Sequence, residues 1–318
     1  MSSLDEAAHI AMGQCMGLKK KERVLIIYDE KTSEIAESLF LESRKISDKC
    51  RMIKISEGKQ HGQEPDHDVA EEMGKCDVLM LVTTKSLSHT KSRKKACDKG
   101  VRVASMPGIT KELMERAVNV DYIKMAERTE KIYECYKKNS LVQIKTEKGT
   151  DIEMRLMERI KFTKPGIFHK KGDFGNLPAG EADIGPIEGS ANGTIVIDAS
   201  MSGIGKLKNP IRLKVVGGVV VDIDGGIEAD KLRKLLENAD DKRAYNIAEL
   251  GIGTNDKAKI SGNVLEDEKV RGTAHIAIGN NVTYGGKCDV ALHLDGVFYK
   301  PTIIVDEKKL IQDGKILI

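Results

Sequence analysis

The first 140 residues alternate between short apolar runs and longer amphipathic segments. The apolar runs lie at residues 23–28, 51–55, 77–82 and 101–105. Each has the length and composition of a buried strand, and segments 4–16 and 33–44 have helical spacing of their apolar residues. Strands that alternate with helices are typical of a parallel sheet covered on both faces. Residues 1–140 are therefore predicted to form a Rossmann-like α/β domain, which ends in one or two charged helices at 111–138.

The pattern changes after residue 140. Apolar and polar residues alternate on both sides of Lys148-Gly149, which predicts a β-hairpin. Further strands are predicted at 194–198, 211–221, 244–250, 273–278, 289–294 and 301–305. Only 228–236 has the spacing of a helix, and most of the 30 glycines fall in this half. Residues 141–318 are therefore predicted to form a β-rich second domain that carries the chemistry.

Composition and charge exclude several classes of protein. Lysine and arginine number 52 against 49 acidic residues, and aromatic residues make up only 4%. This balance disfavours a nucleic-acid partner, which requires excess positive charge and rings for base stacking. No apolar run approaches the roughly 20 residues that span a bilayer, and no secretory signal is visible. The six cysteines form no CxxC motif, so we expect a cytoplasmic protein with reduced thiols and no membrane partner.

Two histidines lie in apolar segments of the second half. His275 lies within the run 272–279, and His293 is followed two positions later by Asp295. Residues i and i+2 of a strand point to the same face about 7 Å apart, so His293 and Asp295 can converge on one ion. A neighbouring strand could bring His275 beside them. Each histidine alone is more simply a core residue bonded to a backbone carbonyl, but the three together favour Zn, Mn, Fe or Co.

Three glutamates also lie in or beside apolar segments and could complete a metal site. Glu249 ends the run 244–250, Glu181 follows the turn 177–180, and Glu268 lies just before His275. Several carboxylates are the ligands needed to balance the charge of divalent ions in an apolar shell. A solvent-exposed carboxylate at a strand end has the same appearance in sequence, so no single glutamate is evidence for a metal site.

Five short motifs in the second half carry a resemblance to a known family. They are Leu177-Pro-Ala-Gly-Glu181, Glu188-Gly-Ser-Ala-Asn-Gly-Thr194, Ala248-Glu-Leu-Gly-Ile-Gly-Thr-Asn255, Gly272-Thr-Ala-His275-Ile-Ala-Ile-Gly279 and His293-Leu-Asp295-Gly-Val297. In order and spacing the chain resembles the aminopeptidase T-type, leucyl aminopeptidase-like dinuclear metallopeptidases. Over the first 140 residues the similarity is one of architecture only.

The resemblance implies a metal-dependent aminopeptidase, a hydrolase that acts on short peptides with a free N-terminus. It implies two divalent ions (Zn, Co, Mn or Mg) that activate a bridging water, and a homodimer. The ligands it implies are Glu181, Glu249, His275, His293 and Asp295. Glu268 is implied as a ligand or as the general base. Tyr284 corresponds most nearly to the tyrosine that follows the family's first histidine, although the spacing here is longer.

Two alternatives use the same residues differently. His275, His293 and Asp295 form a two-histidine, one-carboxylate set, the arrangement of mononuclear non-haem Fe(II) oxygenases. Ring-cleaving dihydroxypyridine dioxygenases are similar in sequence to the peptidase family, so this alternative is specific. The joint presence of Glu181, Glu249 and Glu268 favours two ions over one iron, and therefore the peptidase. The third hypothesis is a non-catalytic homologue that binds metal or peptide.

Overall fold

The computed structural model describes residues 2–156 and 165–318, which form two compact units. The first comprises Met1–Ala126 with Lys164–Ala179, and the second comprises Glu127–Thr163 with Gly180–Ile318. Each unit has an apolar core of its own. The sequence analysis placed one boundary at residue 140, whereas the structure divides the chain earlier. It also returns a later segment to the first unit, because a short strand there extends that unit's sheet.

Helices and strands alternate up to about residue 140, and strands predominate after it. The helices are α1 (Ser3–Ile10), α2 (Ser33–Ile46), α3 (His67–Met73), α4 (Lys91–Asp98), α5 (Lys111–Leu113), α6 (Tyr122–Cys135), α7 (Gly226–Glu237) and α8 (Val264–Asp267). The first nine strands are β1 (Val24–Tyr28), β2 (Cys50–Lys54), β3 (Val78–Val82), β4 (Arg102–Ser105), β5 (Leu141–Lys145), β6 (Asp151–Arg155), β7 (Phe174–Asn176), β8 (Glu181–Ile184) and β9 (Asn192–Ile197). The remaining strands are β10 (Ser200–Met201), β11 (Gly205–Lys206), β12 (Ile211–Val216), β13 (Val219–Asp224), β14 (Ile247–Gly253), β15 (Thr273–Gly279), β16 (His293–Tyr299), β17 (Thr302–Val305), β18 (Lys308–Gln312) and β19 (Lys315–Ile316).

The first unit is built on a five-stranded parallel sheet in the order β2-β1-β3-β4-β7. Its central strand β3 is buried at every position, as expected for a strand covered on both faces. Helix α2 buries Ile35 and Leu39, which lie one turn apart, while Leu41 lies on the opposite side and is exposed. The predicted parallel α/β arrangement is confirmed, with its four strands displaced by no more than one residue at either end.

The second unit contains two antiparallel sheets. One has six strands in the order β11-β10-β16-β15-β14-β8, and the other has eight in the order β13-β12-β9-β6-β5-β17-β18-β19. The apolar core draws on both sheets: Leu250 and Ile252 of β14 and Ile276 of β15 lie in the same cluster as Ile195 and Ile197 of β9. Because successive side chains of a strand alternate between faces, the residues between these apolar ones lie on the other face of the six-stranded sheet.

Three predicted strands, 211–221, 244–250 and 289–294, differ from the structure. The run 211–221 is a hairpin of β12 and β13, because Gly217 and Gly218 both adopt positive φ, of 56° and 76°, and turn the chain between them. The strand predicted at 289–294 begins instead at His293 and continues as β16 to Tyr299. The strand predicted at 244–250 runs instead over Ile247–Gly253, because Lys242–Tyr245 form a 3₁₀ turn. Strands β7, β8, β10, β11, β18 and β19 were not predicted. Among the described residues, no helix combines the length and apolar character needed to cross a bilayer.

Candidate metal centre

Four neighbouring strands of the six-stranded sheet place acidic and imidazole side chains on one face. The register sets Gly251 of β14 opposite both His275 of β15 and Asp183 of β8, and it sets Glu181 opposite Gly253. It also sets Asp295 of β16 opposite Ala277 of β15. Residues directly opposite each other in an antiparallel pair share a face. The acidic and imidazole residues of this face are Glu181, Asp183, Glu249, His275, His293 and Asp295.

Glu249 connects the two histidines. Its Oε1 lies 3.1 Å from Nε2 of His275, and its Oε2 lies 2.9 Å from Nε2 of His293. The side chain is almost fully buried. Burial raises the pKa of this carboxyl, but the hydrogen bonds from both imidazoles outweigh it and hold the pKa well below the usual range. Glu249 is therefore an ionised carboxylate that brings both Nε2 atoms toward one point.

The surroundings of His293 require a cation at its Nε2 atom. Its Nδ1 lies 2.7 Å from the backbone carbonyl oxygen of Asn280, which can only accept, so Nδ1 carries a proton. Nε2 faces two carboxylate oxygens, of Glu249 at 2.9 Å and of Asp295 at 3.3 Å. A lone pair directed at two anions is unfavourable unless a proton or a metal ion lies between them. A carbonyl behind the imidazole and oxygen ligands in front are typical of a metal-binding histidine.

His275 is fully buried, and its charge is set by the same carboxylate. Its Nδ1 has no hydrogen-bond partner among the described residues, and its Nε2 lies 3.8 Å from Oε2 of Glu181 as well as near Glu249. Burial lowers the pKa of His275, but the hydrogen bond and charge of Glu249 raise it to about 10. The position thus favours positive charge, which either protons or a metal ion can provide.

A buried lysine lies at the Glu181 side of the cluster. Nζ of Lys269 is 2.8 Å from Oε1 of Glu181 and also contacts Oε1 of Glu268, while its side chain is only 1% exposed. Burial lowers the pKa of Lys269, but the two carboxylates raise it well above the usual value, so the ammonium is charged. The sequence analysis did not identify Lys269, because a lysine beside acidic residues is typical of a solvated surface.

Asp183 and Tyr133 also belong to this region and were not predicted. The hydroxyl of Tyr133, in α6, donates to Oδ1 of Asp183 at 2.6 Å. Burial raises the pKa of Asp183 to about 6, and the negative charge of Glu249 adds to the increase. The spacing could have identified Asp183, because it lies two positions after Glu181 and so shares its face of β8.

The structure brings together every residue that the sequence analysis assigned to the site. Ligand atoms fall into two groups, within each of which they lie within 4.8 Å of one another: Glu181, Glu268 and His275 in one, and Glu249, His293 and Asp295 in the other. Tyr284 lies in a short 3₁₀ turn, Val282–Tyr284, with its ring stacked on that of His293 at 6.1 Å between centroids. The donor set of nitrogen and oxygen atoms fits a divalent transition metal.

Comparison of the sequence with known proteins identifies a family. The model of the family described as NicX, 2,5-dihydroxypyridine 5,6-dioxygenase, matches residues 14–318. A curated 2,5-dihydroxypyridine 5,6-dioxygenase from Pseudomonas putida KT2440 is 25% identical in an alignment 188 residues long, which covers 55% of this chain and 54% of that protein. The chain therefore aligns with about half the length of this curated relative.

Two solved structures are similar to this one over nearly their whole length. One is a 2,5-dihydroxypyridine dioxygenase from Pseudomonas putida KT2440, with a TM-score of 0.85 and 18% identity over 100% of this chain and 98% of that one. The other is AmpT from Thermus thermophilus, with a TM-score of 0.70 and 16% identity over 99% of both chains. At these identities each similarity shows the fold alone, and it confirms the fold that the peptidase resemblance implied.

The expected activity is corrected by the same comparisons. The sequence analysis predicted a metalloaminopeptidase, a hydrolase of the protease class, whereas the matching family and the curated relative are both named as dioxygenases. A dioxygenase is an oxidoreductase. The prediction was wrong because a shared fold and shared ligand types were taken to favour hydrolysis, although both enzyme classes use them.

Proposed function

The chain belongs to the 2,5-dihydroxypyridine 5,6-dioxygenase family, and from that premise we propose that it is an oxidoreductase that cleaves a dihydroxylated pyridine ring with dioxygen at an iron ion. The family match spans residues 14–318 and so includes every residue of the metal centre. The observation that carries the proposal is that the Nε2 atoms of two imidazoles, His275 and His293, both face the buried carboxylate of Glu249, and that Asp295 lies beside the second of them.

The proposed iron ligands are His275, His293 and Asp295. Two histidines and one carboxylate are the set that non-haem Fe(II) oxygenases use, and they leave coordination positions open. When bound, ferrous iron supplies the one-electron chemistry with dioxygen that amino-acid side chains do not supply. The carbonyl of Asn280 fixes the His293 ring so that Nε2 is the nitrogen presented to the ion.

Glu249 and Asp295 supply the charge that a divalent ion needs. Together they carry two negative charges beside the imidazoles, which balance one divalent cation in a buried setting. Glu249 also orients both imidazoles, because each of its oxygens contacts one Nε2 atom. An ion held by both Nε2 atoms would also meet this carboxylate, so we assign Glu249 the role of a further ligand.

The substrate ring is proposed to approach from the side of His293 and Tyr284. The His293 side chain is 30% exposed, whereas those of His275 and Glu249 are 0% and 4% exposed, so the centre opens on the His293 side. Tyr284 presents an aromatic ring there, on which a flat heteroaromatic substrate can stack. Burial and the negative charge of Glu249 raise the pKa of Tyr284 well above its usual value, which keeps its hydroxyl protonated and hydrogen-bonded to Glu249.

Glu268 receives no proton-transfer role in this proposal. The sequence analysis considered it a general base for peptide hydrolysis or a metal ligand. Burial raises the pKa of Glu268 above its usual value in spite of the nearby ammonium of Lys269. The carboxylate is held in an ion pair with that ammonium, and this contact is the reason that no proton-transfer role is assigned to it.

The proposal is tested by oxygen uptake. The protein is loaded anaerobically with Fe(II) and mixed with 2,5-dihydroxypyridine in oxygenated buffer, and the loss of ring absorbance is followed together with oxygen consumption. We expect equal amounts of ring and oxygen to be consumed. His293→Ala and Asp295→Asn should lose both activity and iron, whereas His67→Ala, which removes an exposed histidine, should retain both. Full activity in His293→Ala, or no oxygen uptake by the loaded protein, would refute the proposal.

A further inference from the structure

We propose that Lys269 is a built-in cation that occupies the place of a second metal ion beside Glu181 and Glu268. This inference rests on the proposed function only in requiring that a metal binds near His293. It departs from the expectation of two divalent ions at the centre, which the family resemblance implied. It also gives a role to a buried lysine that the proposed reaction does not use.

The two groups of ligand atoms are occupied differently. In the group of Glu249, His293 and Asp295, no lysine or arginine contact is recorded among the described residues. In the group of Glu181, Glu268 and His275, the ammonium of Lys269 already contacts both carboxylates. The first group is thus open to a metal ion, and the second already contains a cation.

The position of His275 agrees with this division. Its Nε2 lies 3.1 Å from Glu249 but 3.8 Å from Glu181. The imidazole therefore faces the Glu249 side of the centre, where it can share an ion with His293. Without His275, the remaining group offers a divalent ion only two carboxylates, both of which already contact Lys269.

Charge opposes a second ion beside Lys269. Glu181 and Glu268 carry at most two negative charges, and the ammonium cancels one of them. A divalent ion bound to the same oxygens would lie within a few ångströms of that ammonium, in a region of low dielectric where like charges repel strongly. Lys269 is 1% exposed, so the ammonium has no direct access to water. The arrangement therefore selects one ion.

The inference is tested by counting bound metal. Wild-type protein and Lys269→Met are saturated with Mn²⁺, freed of excess metal and analysed by elemental analysis and by electron paramagnetic resonance. We expect one Mn²⁺ per wild-type chain with the six-line signal of an isolated ion, and two per chain with a spin-coupled signal in Lys269→Met. Lys308→Met removes an exposed lysine and should keep one. Two ions in the wild type, or one in a folded Lys269→Met, would overturn the inference.

A second variant decides the matter if Lys269→Met does not fold. Lys269→Gln removes the charge but keeps a side-chain hydrogen-bond donor for Glu181 and Glu268, so its Mn²⁺ content should rise to two per chain. One ion in a folded Lys269→Gln would overturn the inference. The inference and the proposed function fail separately: one ion without ring cleavage refutes only the function, and ring cleavage with two ions refutes only the role of Lys269.

Discussion

The imidazole of His275 lies directly over Gly251, its partner in the register of β14 and β15. A Cβ atom at position 251 would lie 2.0 Å from Cε1 and 2.1 Å from Nε2 of the ring. Such an approach is impossible, so the absence of a side chain at Gly251 is what allows His275 to face Glu249. The glycine belongs to the centre although it supplies no ligand.

Gly251→Ala is therefore expected to displace His275. Overpacking of this kind costs about 1–3 kcal/mol of stability, and metal affinity should fall at least about tenfold because the imidazole leaves its position. Urea denaturation and Mn²⁺ titration measure the two effects. Gly13→Ala is the control, because a Cβ there meets no atom within 4 Å. Wild-type metal affinity in Gly251→Ala would contradict the account.

The stability of the metal-free protein should decrease as the pH rises. The folded protein raises the pKa of His275 from 6.5 to about 10. The protonated imidazole therefore stabilises the fold fully below about pH 6.5, and this stabilisation, on the order of a few kcal/mol, is lost as the pH approaches 10. Urea unfolding in EDTA at pH 6.5, 8 and 10 measures the change. The loss should be smaller in His275→Gln; an identical pH profile in that variant would show that other groups are responsible.

Tyr133→Phe should destabilise the protein, whereas Tyr136→Phe should not. The hydroxyl of Tyr133 donates to the buried carboxylate of Asp183 at 2.6 Å, and losing a hydrogen bond to a charged group costs about 1.5–3 kcal/mol. The hydroxyl of Tyr136 is buried without a partner among the described residues, so its removal should be neutral or stabilising. Both variants are compared by their urea midpoints at unchanged m-value. Equal midpoints for the two would disprove the assignment.

Ser202 supports the carboxylate of Asp295. The backbone N–H of Asp295 donates to Oγ of Ser202 at 2.9 Å, and that hydroxyl lies 3.3 Å from Oδ2 of the same aspartate. Because such outer contacts orient a ligand, Ser202→Ala should weaken metal binding about 10–100-fold. Competition with a chelator measures the affinity. Ser202→Thr keeps the hydroxyl and should retain most of the affinity; equal losses in both variants would indicate a steric effect instead.

The sequence predicted those parts of the site that depend on local spacing. His293 and Asp295 lie two positions apart in β16, so their common face follows from the geometry of any strand. The contact of His275 with Glu249 joins residues 26 positions apart and depends on the register of two strands. Only the family resemblance indicated it. The charged segment 265–269 gives no sign that Lys269 is buried, because burial is a property of the tertiary structure.

The fold was likewise predicted where the local pattern of apolar residues determines it, and missed elsewhere. Continuous apolar runs identify β1 and β3, whose sequences are VLIIY and VLMLV. Strands β2 and β4 carry charged residues and were identified by the apolar residues between them. The same signal failed at 211–221, where apolar residues continue across Gly217 and Gly218 and conceal the turn. The activity was missed for a different reason: imidazoles and carboxylates serve both hydrolases and oxygenases, and the ligand types alone do not separate the two.

The order of the strands along the chain has a consequence for how the centre is assembled. A nascent chain that has been synthesised only as far as β15 contains Glu249 and His275 but lacks both His293 and Asp295. Two of the three proposed iron ligands are therefore supplied by β16 alone, and the set is complete only once β16 has paired with β15.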